Sequence, residues 1–185
     1  METYIALLRG INVGGHNKMK MLELKQLFVD LGYLDVVSYI QSGNVIFNSK
    51  KLHTVEIEKS IIDAIEKQFA YSIKVLVLTK TELNTIFNSN PFILKHNLDV
   101  SKLSITLLNN KPELGEVVQI QNLVNSSDDT FEIINKSVYL YLPDGSRNTK
   151  LTNNLFEKKL KSSATSRNWR TITKLVELST QQFES

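Results

Sequence analysis

Hydrophobic residues in the first half of this chain change their spacing in an order that strongly restricts the fold. Apolar runs or alternation typical of strands occur at Thr3–Arg9, Val36–Ile40, Asn44–Asn48 and Ile73–Leu78. Between them, spacing by three and four residues predicts two helices, one containing Leu24–Leu31 and one over Thr54–Tyr71. The resulting order, β-α-β-β-α-β, is the split βαβ unit of a ferredoxin-like half.

The second half of the chain repeats this order almost completely. Strands are predicted at Leu103–Leu108, Thr130–Ile134 and Ser137–Leu142, with a helix from Pro112. Two helices, Thr149–Lys161 and Ser166–Leu178, then follow, so that a helix takes the place of a last strand. We therefore predict an α+β protein of two ferredoxin-like (split βαβ) halves, with antiparallel or mixed sheets and helices packed on them.

Breaks in the pattern predict the domain boundaries. Residues 91–102 have polar punctuation and no clear period, which favours a linker there. The predicted domains are an N-terminal half over 1–90 and a C-terminal half with the terminal helices over 103–185. Gly32 stands where a helix stop belongs, and Thr79 with Glu82 forms a capping box for a further short helix.

The composition excludes several classes of protein. Hydrophobic residues make up 42% of the 185 residues, which is enough for a packed core and too many for a disordered chain. The longest unbroken apolar run, Tyr4–Leu8, has five residues, whereas a membrane-spanning helix needs about 20. The chain contains no cysteine, which excludes disulfides, thiolate metal sites and thiol nucleophiles. Because no secretory signal is visible either, we expect a cytoplasmic location and no membrane partner.

Positive charge is concentrated in one segment. The formal net charge is only +3, but residues 136–174 carry nine basic and two acidic side chains, a net charge of +7. Such a segment attracts phosphates, nucleic acid or an acidic partner. A solvated basic surface without a ligand is the alternative interpretation.

A glycine-rich loop, Gly10-Ile-Asn-Val-Gly-Gly-His-Asn-Lys18, joins the first strand to the first helix. Glycines let backbone N–H groups approach an anion, and a helix start adds partial positive charge. The spacing of Gly10 and Gly15 resembles a P-loop, but His16 and Asn17 stand where the phosphate-binding Lys and the magnesium-binding Ser or Thr belong. Nucleotide hydrolysis by a P-loop is therefore rejected. An anion site and a tight packing device both stay open for this loop.

The predicted C-terminal helix has a basic face. Ser166 suits the N-cap, and Trp169 belongs to an apolar stripe, which predicts a core anchor. The basic residues on the opposite side are Arg167, Arg170 and Lys174. Two arginines in a first helical turn are disfavoured by the helix dipole, by roughly 0.3–1 kcal/mol each. Either an anionic ligand or an internal carboxylate such as Asp144 would compensate this cost.

Other catalytic signals are weak. His16, His53 and His96 are 37 and 43 residues apart without clustered carboxylates, so that we predict no metal and no cofactor. Ser42 lies in a strand-to-strand turn, which is not the setting of a nucleophile elbow. His16 is the histidine with potential as a general base.

Three segments of the chain resemble a known family. They are Tyr4–Gly15 with Asn17-Lys18 following, Tyr39–Phe47 and Ser166–Leu175. In these segments the sequence is similar to the bacterial family of the domain of unknown function 1697. The resemblance implies a small cytoplasmic α+β protein of duplicated ferredoxin-like architecture, and it implies no reaction, cofactor or catalytic residue.

The expected function is binding of a phosphate-bearing ligand, either a nucleotide or nucleic acid, in one cleft lined by the glycine loop and the basic helix. The alternatives are a small-molecule enzyme that uses His16 and the polar turn Gln41–Asn44, and a protein-interaction domain. The oligomeric state is left open. The candidate ligand-binding residues are Arg9, Gly10, Asn12, Gly14, Gly15, His16, Asn17, Lys18, Ser42, Asn44, Arg167, Arg170 and Lys174.

Overall fold

Each half of the chain forms one four-stranded antiparallel sheet with helices, which makes an α+β fold of two similar halves. The computed structural model describes residues 1–50, 53–93, 95, 98–124 and 128–181. The chain packs as two compact units, one of Met1–Thr85 with the terminal helix from Lys174 onward, and one of Ile86–Thr173. The predicted 91–102 linker stays a prediction, and part of it, His96 included, lies outside the described residues.

The first half follows the predicted order. Its elements are β1 (Glu2–Arg9), α1 (Met21–Asp30), β2 (Leu34–Tyr39), β3 (Asn44–Ser49), α2 (Thr54–Phe69), β4 (Lys74–Thr79) and α3 (Lys80–Asn88). The strands lie in the order β2-β3-β1-β4, and each neighbouring pair is antiparallel. Gly32 ends α1 as predicted, since its φ is +82° and its N–H donates to the carbonyl of Val29 at 2.9 Å.

The second half contains a strand that the sequence did not indicate. Its elements are β5 (Leu103–Leu108), α4 (Leu114–Val124), β6 (Thr130–Ile134), β7 (Ser137–Tyr141), α5 (Asn153–Leu160), β8 (Ala164–Asn168) and α6 (Trp169–Gln181). The strands lie in the order β6-β7-β5-β8, again all antiparallel. The prediction of a helix in place of the last strand is wrong, because Ala164–Asn168 pairs with β5. Both halves therefore have the same β-α-β-β-α-β order.

The last helix starts three residues later than predicted. Ser166 is not its N-cap, because Ser166 lies in β8 opposite Thr106. Instead, Asn168 Oδ1 accepts the N–H of Thr171 at 2.8 Å, which is the hydrogen bond of an N-cap. Trp169 then opens α6.

The core of the first unit lies between its sheet and the helices α1 and α2. Six consecutive residues of β1, from Thr3 to Leu8, are buried, as predicted for a strand covered on both faces. Around Phe47, the rings of Tyr4, Phe28 and Tyr33 lie with centroids 5.9, 5.2 and 4.6 Å away. These aromatic contacts fix β1 and β3 against α1.

In the second unit, α5 packs on one face of the sheet. Phe156 and Leu160 are buried against Val138 and other apolar residues of the strands. Trp169 is only 2% exposed and stacks on Phe87 with ring centroids 5.4 Å apart. The prediction that Trp169 is a core anchor is confirmed.

The strand β2 lies at an open edge of the first sheet and is irregular. Its register with β3 shifts between Leu34 and Val37, and Asp35 between them has a φ of +51°. Asn48 of β3 holds this residue by a 2.7 Å hydrogen bond from its Nδ2 to Asp35 Oδ2.

Candidate functional site

The glycine loop, residues 10–18, folds as a small hairpin after β1. The N–H of His16 donates to the carbonyl of Val13 at 3.0 Å, and the two residues between them, Gly14 and Gly15, have φ values of +59° and +81°. Positive φ at both central positions is characteristic of a type I′ turn, and glycine adopts it without steric cost. Turn geometry therefore accounts for both glycines.

Two asparagines hold this loop in place. Asn12 Nδ2 donates to the carbonyls of Met19 at 2.9 Å and Gln41 at 3.0 Å, and its Oδ1 accepts the N–H of Met19 at 2.8 Å. Asn17 Nδ2 donates to the carbonyl of Gly10 at 3.0 Å. Both asparagines have left-handed φ values, +54° and +46°, which asparagine tolerates better than most residues. The two asparagine side chains thus tie the loop to itself, to Met19 and to the turn at Gln41.

The turn between β2 and β3 packs against the same loop. A Cβ on Gly43 would lie 2.8 Å from both Ile11 Cδ1 and Leu8 Cβ, and its φ is +74°. Asn44 Nδ2 donates to Ser42 Oγ at 3.0 Å. The structure therefore brings the predicted residues Ser42 and Asn44 beside the glycine loop, in the first unit.

The titratable side chains of this region lie toward solvent. His16 and Lys18 are exposed, and Arg9 is half-buried at the end of β1. A general base needs surroundings that place a reacting atom within hydrogen-bond reach. Within the described part of the chain, no observation favours an enzyme that uses His16 in this way.

The three basic candidates near the C-terminus do not share a helix face. Arg167 lies in β8 opposite Ile105, so that its predicted place in the first turn of a helix is wrong. Arg170 is in the first turn of α6 and exposed. Lys174 Nζ lies 2.9 Å from Glu177 Oε2 on the same helix. Arg167 and Arg170 belong to the second unit and the glycine loop to the first; the single cleft expected from the sequence stays a prediction.

A cavity of about 370 Å³ lies within the second unit. Its polar lining residues are Ser104, Ser146, Thr149, Thr152, Asn153, Ser166 and Asn168. Three leucines and Arg167 complete the lining, so that Arg167 is the charged residue of this cavity. The sheet register explains why three of these residues lie on one wall of the cavity. Ser104 stands opposite Leu140 on one neighbouring strand and opposite Asn168 on the other. Residues that stand opposite one another in a sheet point to the same face.

Side-chain hydrogen bonds connect the lining to the sheet. Ser166 Oγ lies 2.6 Å from Asn153 Oδ1, and also 2.6 Å from Thr106 Oγ1. Thr152 caps α5, since its Oγ1 accepts the N–H of Leu155 at 3.3 Å. The start of α5 therefore lines the cavity with the partial positive charge of a helix N-terminus.

Arg167 adds a full positive charge at the edge of the sheet. Because side chains alternate along a strand, the Cβ of Arg167 points to the sheet face opposite to that of Ser166. Its Nη1 group nevertheless donates a hydrogen bond to the carbonyl of Ser166 at 2.8 Å. Burial lowers the pKa of Arg167 to about 10, and the guanidinium is still charged at neutral pH. A partly desolvated guanidinium with five N–H donors is well suited to oxyanions.

The described residues contain no arrangement typical of a metal site or of a membrane-spanning helix. Among them, no group of three or more His, Asp or Glu side chains is arranged to hold a metal ion. His96 lies outside that part of the chain. None of the described helices is long and apolar enough to cross a membrane.

Most of the cavity residues were missed by the sequence analysis. Ser104, Thr152 and Asn153 are ordinary serine, threonine and asparagine residues, separated by up to 49 positions and without a motif. The one signal that pointed to them is the charge of the segment 136–174, which contains most of the lining.

Comparisons with known proteins confirm the family resemblance that the first two of the three sequence segments indicated, whereas the third, Ser166–Leu175, lies outside the matched residues. The model of the family described as protein of unknown function (DUF1697) matches residues 1–139, and the chain belongs to this family. The solved structure of the conserved bacterial protein SP0830 from Streptococcus pneumoniae is similar, with a TM-score of 0.73 over 96% of this chain and 98% of that chain. The two sequences are 22% identical, so that this likeness shows the fold alone. No curated protein matches the chain.

Proposed function

We propose that this member of the DUF1697 family binds a small phosphate-bearing ligand, with a nucleotide as the best-fitting class, in the cavity of its second unit. The observation that carries the proposal is the composition of that cavity, in which hydroxyl and amide side chains, a helix start and Arg167 surround about 370 Å³. This volume lies within the usual range of roughly 300–1,000 Å³ for small-molecule sites.

The chemistry of the lining supports an anionic ligand with an uncharged part. A guanidinium and hydroxyl donors form strong hydrogen bonds to phosphate oxygens. The leucines Leu140, Leu142 and Leu151 offer an apolar wall to a base or another uncharged group. The segment 136–174, with its net charge of +7, would favour the approach of an anion to this unit.

A small ligand fits this cavity better than a nucleic acid does. Nucleic acids gain affinity from many phosphate contacts along an extended surface, whereas the lining described here surrounds one compact space. Contact between the ligand and the glycine loop is a separate hypothesis, on which the proposed cavity site does not depend. The cytoplasm is the proposed location, since the chain has no cysteine and thus no disulfide that would indicate an oxidising compartment.

The proposal is tested by calorimetric titration at low salt with inorganic phosphate, AMP and adenosine. We expect AMP to bind at least about tenfold more tightly than adenosine, because charged hydrogen bonds contribute roughly 1.5–3 kcal/mol. Arg167→Gln should weaken AMP binding by about tenfold or more on the same grounds. Arg170→Gln is the matched control, since Arg170 is exposed and absent from the cavity lining.

Two outcomes would contradict the proposal. Equal affinity for AMP and adenosine would show that the phosphate is not recognised, and absence of binding by all three probes would exclude the site. A single-stranded oligonucleotide that binds with a steep loss of affinity in salt, while AMP does not bind, would instead favour nucleic acid.

A further inference from the structure

Thr106, Ser166 and Asn153 form a chain of side-chain hydrogen bonds at the cavity, and the donor of each bond can be assigned. Ser166 Oγ lies 2.6 Å from the amide group of Asn153. This separation is usual for an O–H···O bond and shorter than the range for N–H···O bonds. The structure places Asn153 Oδ1 at this contact, and because an amide oxygen can only accept, the single proton of Ser166 points to it.

The direction of the second bond follows from the first. Because Ser166 has no other proton, Thr106 must be the donor in the 2.6 Å contact between their hydroxyls. Thr106 is 0% exposed, and a buried hydroxyl needs such a partner. If the Asn153 amide were reversed, Ser166 would donate to Thr106, and the Thr106 proton would have to find another acceptor at a buried position. The relay from Thr106 through Ser166 therefore fixes the orientation of Asn153.

We infer that Asn153 is the residue that selects the ligand in this cavity, because the relay leaves its Nδ2 group to donate to a ligand that accepts. Asn153 is the first residue of α5 and lines the cavity. Its Nδ2 has no acceptor among the residues that the structure describes. The terminal oxygens of a phosphate monoester only accept hydrogen bonds when ionised, so that they match this donor. A ligand amine at the same place would meet N–H groups instead of an acceptor and would be rejected.

This inference rests on the proposed function and deepens it. Ser166 and Thr106 are positioning residues here, since they act through Asn153. Asn153 is expected to contact the phosphate, whereas Arg167 supplies charge at the edge of the sheet.

The test compares Asn153→Asp with Asn154→Asp. Both changes keep the size of the side chain and add one negative charge, but Asn154 is exposed and does not line the cavity. In Asn153→Asp a carboxylate replaces the donor, so that affinity for inorganic phosphate and AMP should fall by about tenfold or more, the size expected for a lost hydrogen bond to a charged group. In Asn154→Asp it should change by less than about threefold, as for an exposed charge.

A second measurement follows ligand binding in the wild-type protein, with the site unchanged. The side-chain amide signals of Asn153 in a ¹⁵N-labelled wild-type protein, assigned by their loss in Asn153→Asp, should shift on titration with phosphate. Those of Asn154 should stay in place. The shift itself is measured in the wild-type protein, and the variant serves only to assign the signals.

The outcomes separate the two proposals. If the wild-type protein binds neither phosphate nor AMP, the proposed function fails, and this inference with it. If the wild type binds and Arg167→Gln weakens binding, but the two aspartate variants bind equally and the Asn153 amide signals do not move, the assignment of Asn153 alone is overturned.

Discussion

The glycine loop of the first unit and the cavity of the second unit differ in how conspicuous they are in the sequence and in what their polar groups do. The loop contains three glycines within six residues, but the side chains of Asn12 and Asn17 and the N–H groups of Asn12 and His16 are engaged in holding a hairpin and a neighbouring turn. The cavity is built from common residues without a motif. Some of its polar groups are also engaged within the protein, since Thr149 donates to Asp129 and Ser166 to Asn153, but together with the Asn153 amide they line a space of about 370 Å³. A glycine motif reports backbone geometry first, whereas an anion site needs donors that the fold has not already used.

The largest effect is expected at Gly43, which tests whether the first region is a structural device. Gly43→Ala should lower the free energy of unfolding by about 3 kcal/mol, because a left-handed φ costs alanine about 1 kcal/mol and overpacking adds roughly 1–3 kcal/mol. The added Cβ would lie 2.8 Å from Leu8 Cβ. Urea denaturation followed by circular dichroism measures the loss.

Gly15→Ala is the control for that experiment. Gly15 has a φ of +81° with nothing within 4 Å of a Cβ, so that only the backbone cost of about 1 kcal/mol applies. Equal losses for the two variants would show that the close packing of Gly43 on the loop is unimportant.

A smaller loss in the free energy of unfolding is expected when the side-chain hydrogen bonds of the glycine loop are removed. Asn12→Ala removes three side-chain hydrogen bonds and should destabilise the protein by about 2 kcal/mol, since each contributes roughly 0.5–1.5 kcal/mol. Asn17→Ala removes one bond to Gly10 and should cost about half as much. If AMP affinity fell in parallel with Asn12→Ala, the separation between a structural loop and a binding cavity would be broken.

Alkaline pH should distinguish the two units through their buried tyrosines. Burial, and then the hydrogen bond to Glu2, raise the pKa of Tyr4 to about 12, whereas an unfolded tyrosine ionises near 10. The unfolded chain therefore loses its proton first, and the stabilisation present below pH 10 is lost as the pH rises toward 12. Between pH 9 and 11 we expect a loss of about 1 kcal/mol, measured by urea denaturation.

Tyr4→Phe should remove the part of this pH dependence that comes from Tyr4, while Tyr33, whose pKa is also raised by burial, keeps its own contribution. In the second unit burial also raises the pKa of Tyr139, but the hydroxyls of Ser137 and Ser89 oppose the shift. Tyr139→Phe should therefore change the alkaline profile less than Tyr4→Phe, and the reverse order would contradict the difference described here.

The smallest effect is expected at Lys18. Its side chain is exposed, and Tyr71 binds its backbone carbonyl rather than its amine. Lys18→Gln should leave the affinity for AMP within about twofold and the stability within about 0.5 kcal/mol, as for most surface substitutions. A tenfold loss of AMP affinity in calorimetry would show instead that the glycine loop contributes to the binding site.

The fold could be predicted from the sequence where local signals agree with long-range packing. The capping box is one example, since the N–H of Thr79 donates to Glu82 Oε2 at 2.8 Å and that of Glu82 to Thr79 Oγ1 at 3.1 Å. The turn at Asn135-Lys136 joins β6 and β7 as expected, with Asn135 at a φ of +56°. In both places a few neighbouring residues determine the geometry.

The strand β8 could not be found in this way. Its sequence, Ala-Thr-Ser-Arg-Asn, lacks apolar alternation, and the stripe of Trp169, Ile172 and Val176 invited extension of the helix back to Ser166. Pairing with β5 determines its conformation instead. The error had a consequence for function. It assigned Arg167 to a helix face, whereas Arg167 and Ser166 both belong to a strand that lines the cavity.

The cavity was beyond prediction for a related reason. Ser104 and Asn168 become neighbours only through the register of β5 and β8, and Asn153 joins them only through the packing of α5. The charge of the segment 136–174 showed that this region differs from the rest, but charge alone does not identify the residues around a space.

The irregular strand β2 has a consequence for the behaviour of the protein at high concentration. An open strand edge offers unpaired N–H and carbonyl groups on which further chains can add and aggregate. The left-handed Asp35 interrupts that row of groups and places a carboxylate among them. This single residue makes the outer margin of the first sheet a poor template for self-association.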